Sequence, residues 1–284
     1  MISIIICSRQ KHLSQSCADN MRDTVGCEYE LICIDNSEKR LSIFEAYNLG
    51  LKKAVYDLVC FQHDDAIYLT ENWGNVIIEI FNSNQNIGVL GVAGSRSKST
   101  LPSVWWHCPP EHKIINIVQL FPNNLSEHWF QGFSANSNLV EVTVCDGVFF
   151  VMKKSTDISF DETFTGFHNY DIDISLQFKQ KGYRNYVTSD LLLKHYSLGS
   201  INEDWINSTM HLFLKYKSFL GPEFMPQNNS QEKKNGVWFI EKCLEYNKVT
   251  FAWQIYVHLV KTQPAQIFNV KLVNFFLKKA IALF

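Results

Sequence analysis

Two adjacent carboxylates, Asp64 and Asp65, close the run Leu58-Val59-Cys60-Phe61-Gln62-His63. Like charges side by side are costly unless something positive lies between them. A hard divalent cation that also holds a diphosphate would serve, because such ions are held by one or two carboxylates plus phosphate oxygens. An exposed Asp-Asp turn is the plain alternative. Asp35 follows a second apolar run, where an acidic side chain of a nucleotide-binding fold meets a base or ribose hydroxyl, or else opens an Asx-turn in Asp-Asn-Ser. Asp171 and Asp173 fall in the first turn of an expected helix. Two residues apart, they point in different directions, so at most one faces a cleft. A helix N-terminus favours an ionised carboxylate, which suits a base taking a proton from a hydroxyl, although acids also decorate helix starts without chemistry. His195, after Leu191-Leu192-Leu193-Lys194, offers a metal ligand, a diphosphate contact or a structural histidine. His107, Cys108 and His112 lack the spacing of a closed zinc site.

These residues need elements that bring them to one place. Met1 to Ser8, Glu28 to Ile34 and the run into Asp64-Asp65 read as buried strands, being continuously apolar. Lys11 to Arg22 and Ser42 to Val55 read as the helices between them, which makes a parallel βαβαβ unit. In such sheets ligands bind beyond the carboxyl ends of the strands. Further on come a helix from Asn72 to Phe81, a strand from Ile87 to Ala93, and a strand-like stretch from Val140 to Met152 broken at Asp146-Gly147. Asn169 is placed as the N-cap of a helix to about Lys181, with Gly182 at C′. Tyr186 to Lys194 then reads as one strand leading to His195. Gly94 to Asn138 shows no clear period, carries Pro102, Pro109, Pro110 and Pro122, and reads as long loops. Its Trp105, Trp106 and Trp129 are candidate aromatic faces for a ligand, or plain packing of the loop. From Trp205 the pattern is helical, interrupted by a polar linker from Pro226 to Asn235.

The composition bounds the class. At 284 residues, 46% hydrophobic and 14% aromatic, the chain supports a sizeable core and is no candidate for disorder. A net charge of -2 and a pI near 6.5 argue against a nucleic-acid partner, which calls for a basic stripe. The eight cysteines contain no Cys-x-x-Cys pair, so a reduced, cytoplasmic setting is expected. Ile2 to Cys7 is too short for a signal-peptide core, which leaves the sequons at Asn124, Asn207 and Asn228 without weight. No run approaches the roughly 18 apolar residues of a spanning helix.

Taken together, SIIICSR at the start, IDNSE at Asp35, FQHDD, DGVFFVMKK from Asp146, the segment Phe160 to Arg184 and KHYSLGS around His195 resemble the GT-A glycosyltransferases, specifically the family 2-like inverting, non-processive enzymes. The pieces cover about the first 200 residues in the family's order. The resemblance implies an α/β fold, Rossmann-like with a mostly parallel sheet flanked by helices, as a catalytic domain over 1-200 with a helical C-terminal extension over 201-284. It implies transfer of one sugar from a nucleotide-diphosphate sugar, a UDP-sugar being favoured, to a hydroxyl of a glycan or lipid-linked acceptor in polysaccharide biosynthesis. Asp171 would be the general base. Asp65 and His195 would hold a divalent metal, Mn2+ or Mg2+, and Ser8, Arg9, Asp35, Asn36, Asp64, Asp146 and Gly147 would contact the nucleotide-sugar.

The chain departs from the family pattern at three places. His63 stands for the first Asp of Asp-x-Asp, Tyr170 for the Glu of Glu-Asp, and Asn36 for a frequent second Asp. A non-catalytic relative that binds nucleotide or carbohydrate is therefore the rival reading. A nucleotidyltransferase is a weaker one, since Ser8-Arg9-Gln10-Lys11-His12 lacks the glycines of a triphosphate loop. The Gln-x-x-Arg-Trp signature of processive synthases is absent. The apolar tail from Gln266 to Phe284 fits packing onto the domain or a partner. That packing is the favoured reading, with an interfacial helix at the inner face of a membrane as its alternative.

Overall fold

The computed structural model describes residues 1–135, 137–197, 199–225 and 229–262, with the side chain of Asn229 left aside. The C-terminal tail from Gln266 lies outside them. Strand β1 (Ile2–Ser8), helix α1 (Gln15–Thr24), β2 (Tyr29–Asp35), α2 (Ile43–Lys53) and β3 (Leu58–Gln62) form the expected βαβαβ unit, with β1 paired in parallel to both β2 and β3. Ile2, Ile4, Ile5 and Ile6 are wholly buried, which is why the run carries no alternation. Helix α1 starts later than Lys11, because the Ser14 hydroxyl accepts the Cys17 N–H and caps it there. Ser42 and Glu45 form a capping box that starts α2.

After β3 the chain turns at Asp64-Asp65 into a short β4 (Ala66–Tyr68), then α3 (Trp73–Ser83) and β5 (Ile87–Gly91). The expected strand to Ala93 divides here. Residues Ala93–Ser95 form β6, which belongs to a second sheet. The stretch read as loops holds β7 (Lys113–Leu120) and β8 (Ser126–Gln131), an antiparallel pair. Then follow β9 (Leu139–Val142), β10 (Val144–Cys145), β11 (Phe149–Lys153), α4 (Tyr170–Gln180), β12 (Arg184–Thr188) and β13 (Leu193–His195). The single strand expected from Tyr186 to Lys194 is thus two, in different sheets, separated by the turn at Ser189-Asp190.

The first sheet runs β2-β1-β3-β11-β5-β12-β9 and the second β10-β6-β7-β13-β4. In the first, only β11 and β9 oppose the common direction. The mixed α/β fold is therefore mostly parallel in its main sheet and flanked by helices, followed by a helical C-terminal region of α5 (Glu203–Tyr216), α6 (Asn229–Glu245) and α7 (Val249–Thr262). Part of the expected polar linker, from Asn229, is the first turns of α6. Among the described residues no helix is long and apolar enough to cross a membrane.

Two cores result. The larger surrounds the main sheet and reaches Leu212 and Tyr216 of α5. The smaller joins Trp205, Ile206 and Met210 of α5 to α6, α7 and the loop residues Leu101 and Val104. Helix α5 is tied to α4 by charge: Lys215 Nζ lies 2.6 Å from Asp173 Oδ1 and 2.7 Å from Asp161 Oδ2, and the Tyr216 hydroxyl donates to Asp173 at 2.8 Å. Asp173 is wholly buried, so it is bound to this pair and is not free for a cleft. Asp173→Ala removes the wholly buried member of the pair and leaves the half-buried Lys215 ammonium with Asp161 alone, and is expected to destabilise by about 2–4 kcal/mol. Urea unfolding checks this; a change under about 0.5 kcal/mol would reduce the pair to surface decoration.

Candidate functional site

Four routes bring the predicted residues to one edge of the main sheet. Ser8 and Asp35 end paired strands β1 and β2, and His63 to Asp65 follow β3. Asp146 and Gly147 arrive from the other direction, just before antiparallel β11, whose Phe149 is paired with Gln62, so that His63 N–H donates to the Val148 carbonyl. His195 comes through the second sheet, where β13 sets it opposite Ala66 and Gln119. Tyr170 and Asp171 start α4. Asn169 occupies the N-cap position, in the left-handed region and without a side-chain cap, because its amide instead donates to Ser208 and Thr209 of α5.

The positive group between the aspartates is a guanidinium. Arg9 Nη2 lies 2.5 Å from Asp64 Oδ1 and 3.0 Å from Asp65 Oδ2, and the Arg9 backbone N–H also donates to Asp64 at 2.8 Å. Asp64 is thereby fully engaged. Asp65 has a second oxygen to offer: Oδ1 is buried and has no hydrogen-bond partner. It lies 3.6 Å from His195 Nε2 and 4.0 Å from His63 Nδ1, and those two nitrogens are 3.1 Å apart. A circle through three points so spaced has a radius of about 2.1 Å, the length of a metal–imidazole bond. Among the described residues this is the grouping of three able to hold a metal ion.

The electrostatics suit a cation. Burial lowers the pKa of His63. Burial, and next the neighbouring His63, lowers that of His195. Both rings are therefore neutral near pH 7, the form that ligates metals. Burial works against the Asp65 carboxylate, yet the nearby Ser197 hydroxyl, the two imidazoles and Arg9 outweigh it and hold its pKa down. An anionic oxygen and two neutral nitrogens fit a divalent ion.

Asp171 is in the opposite condition. Burial first, and the Asp146 charge second, push its carboxyl up to about 7. Its neighbour Asp146 accepts the Trp105 indole N–H at 2.5 Å and the Val148 N–H at 2.8 Å. Asp171 lines a cavity of about 290 Å3 with His63, Trp105, Trp106, Gly147 and Tyr170. A larger one of about 490 Å3 holds Ser8, Arg9, Asn36, Ser37 and Asp64. His63, His168 and Tyr170 belong to the walls of both. Trp129 is absent from both linings; it sits on β8 against Phe121.

Not every expected contact has a free side chain. Asp35 is exposed and accepts from the backbone and hydroxyl of Ser37, the Asx-turn alternative, and it is not among the residues lining either cavity. Asn36 closes its own loop, exchanging hydrogen bonds with the Leu41 backbone. The Ser8 hydroxyl accepts from Gln10 N–H. His63, which stands at the first position of Asp-x-Asp and is not among the expected metal ligands, is the third member of the cluster that could hold a metal, and its spacing of two from Asp65 is the signal the sequence carries. Gln119, in the stretch read as loops, had none.

A family model described as a glycosyltransferase-like family matches residues 3–219. No curated protein matches the chain. Among solved structures, A197 from STIV is similar at 16% identity and a TM-score of 0.37, over 69% of this chain and 86% of that one. GalNAc-T7, solved with UDP, GalNAc and Mn2+, is similar at 10% identity and a TM-score of 0.49, over 92% of this chain and 57% of its own.

Proposed function

Because this chain belongs to the glycosyltransferase-like family and has the mixed α/β, GT-A type of fold, we propose that it is an inverting glycosyltransferase. It moves one sugar from a nucleoside diphosphate sugar, a UDP-sugar first to be tested, to a hydroxyl of a glycan or lipid-linked acceptor. The observation that carries the proposal is one wall with two faces: His63, which groups with Asp65 and His195, lines both cavities, and Asp171 lines the smaller one.

In this reading the larger cavity takes the nucleotide and Asp65, His195 and His63 hold a divalent cation. Bound there, the cation would neutralise the departing diphosphate. Asp171 takes the acceptor hydroxyl's proton as that oxygen bonds to the anomeric carbon, while the bond from that carbon to the diphosphate oxygen breaks and its electron pair leaves with the diphosphate. A single displacement inverts the centre. Trp106, partly exposed at the cavity wall beside buried Trp105, offers an aromatic face to a sugar ring. Catalysis is assigned to residues 1–200, with Asn202 and Asp204 of the helical extension adding to the larger cavity's wall. The eight unpaired thiols support a reduced, cytoplasmic setting.

The rival, a binding relative without turnover, drew on the changes at His63 and Tyr170. Both side chains bring polar atoms to the cluster, which favours the enzyme. The test is release of nucleoside diphosphate from a panel of UDP- and GDP-sugars with Mn2+ and simple glycan acceptors. Sugar-dependent release supports transfer; binding of nucleotide without release from any donor would favour the rival.

A further inference from the structure

The hydrogen bonds behind the two histidines place their protons. The Tyr170 hydroxyl lies 3.0 Å from the Gly147 carbonyl oxygen, which can only accept, and 2.8 Å from His63 Nε2. A phenol has one proton to give. Given to Gly147, it leaves the phenol oxygen as acceptor, and only an N–H at His63 Nε2 completes the second bond. Nδ1 of His63 is then bare. On the other ring, Gln119 Nε2 donates toward three carbonyl oxygens, those of Leu120, His195 and Ser197, at 2.9, 3.2 and 3.2 Å. That set fixes the amide's orientation, so Gln119 Oε1 accepts from His195 Nδ1, 3.2 Å away. His195 Nε2 is bare as well.

Two imidazole lone pairs thus face each other at 3.1 Å, with the unpartnered oxygen of Asp65 beside them. The Ser197 hydroxyl, 3.2 Å from His195 Nε2, can relieve only one of them. We infer that the Tyr170 hydroxyl is a positioning group that holds His63 in its Nε2–H tautomer and so presents Nδ1 to a divalent cation. The inference rests on the reading of the cluster as a metal site. It couples two of the three departures from the family pattern: an imidazole at position 63 needs its tautomer set, whereas a carboxylate would not, and position 170 supplies the group that sets it. Gly147 permits this, since a Cβ there would come within 2.2 Å of the Tyr170 hydroxyl. Outer partners of this kind orient a ligand ring and raise its basicity.

Tyr170→Phe keeps the ring against Tyr47, Phe44 and Phe150 and removes the hydroxyl alone. In metal-free, full-length protein with isotope-labelled histidine, the His63 ring nitrogens are assigned by their loss in His63→Gln. They are expected to report one tautomer, Nε2–H, in the wild type and a mixture in Tyr170→Phe. Mn2+ should bind the variant about 10–100-fold more weakly in calorimetry. An unchanged tautomer, or an unchanged Mn2+ affinity beside a wild type that binds, overturns the inference. Gln119→Leu should weaken Mn2+ binding and leave the His63 resonances in place; a disturbed His63 there would mean general loosening, against a specific role for Tyr170. A wild type that binds no Mn2+ instead overturns the metal reading, and the metal-free tautomer comparison still decides whether Tyr170 holds His63.

Discussion

Asp171→Asn is expected to lower kcat by about 10²–10⁴-fold, the usual worth of a positioned base, with nucleotide affinity little changed. The asparagine keeps the shape of the side chain and cannot take the acceptor's proton. The pH profile gives a second, independent signature. Burial, then Asp146, raises the Asp171 carboxyl to about 7, so the basic form prevails only above that value. The wild-type rate should therefore fall about tenfold per pH unit below pH 7 and level off above it. Asp146→Asn removes the second cause of the shift and should move the acid limb to lower pH. The stability effect has the opposite sign to the catalytic one. With the folded pKa above the unfolded value, the protonated form favours folding, and stability is lost as pH rises toward 7. Asp171→Asn should consequently unfold at higher denaturant than wild type at pH 8 while it is nearly inactive. An inactive variant that is also less stable would place Asp171 in the scaffold, and a rate flat from pH 5 to 8 would rule it out as the base.

The residues of that site were legible because they end apolar runs. Ile2 to Ser8 and Leu58 to Gln62 are buried on both faces, and Tyr29 to Asp35, at the sheet edge with only Ile32 and Ile34 buried, still carries a central apolar stretch, so their ends, and the acids there, stand out from sequence alone. Helix α4 was equally plain, with Asn169 and Gly182 at its ends and Gly182 at a φ of 86°. What the sequence hid is what depends on partners far along the chain. Arg9 lies 55 residues from Asp64, so nothing local says that a guanidinium already stands between the two aspartates. The apolar runs Ile87 to Ala93 and Tyr186 to Lys194 each look like one strand, since burial continues across Val92 and at Leu191 while the chain changes sheets. Strand β8 carries no signal for the reverse reason: all six of its residues are exposed, so no hydrophobic period marks it, and the prolines before it, Pro109, Pro110 and Pro122, read as loop. The second sheet carries Gln119 and His195 side by side, which is how the candidate site draws on residues that no motif connects.

Asp65→Ala is expected to abolish metal-dependent nucleotide binding. Outer-shell changes cost about 10–100-fold in metal affinity; removing the one anionic ligand of the cluster should cost more than about 100-fold, and UDP or GDP titrated with Mn2+ should then bind no better than with EDTA. The wild type should lose its own nucleotide affinity when EDTA is added. Retained Mn2+-dependent binding in Asp65→Ala would remove the cation from the cluster and return Asp65 to its pairing with Arg9 alone. The donor set also bears on which ion serves. Two imidazole nitrogens and one carboxylate oxygen suit Mn2+, Co2+ or Zn2+, whereas Mg2+ prefers an all-oxygen octahedron, so Mn2+ should support binding at lower concentration than Mg2+. His63→Asp exchanges one nitrogen for an oxygen and should narrow that gap, because the softer ligand is lost and the ligand set gains a second negative charge. If Mg2+ and Mn2+ are equivalent in the wild type, His63 does not ligate, and the cation is held by oxygens that the cluster does not include.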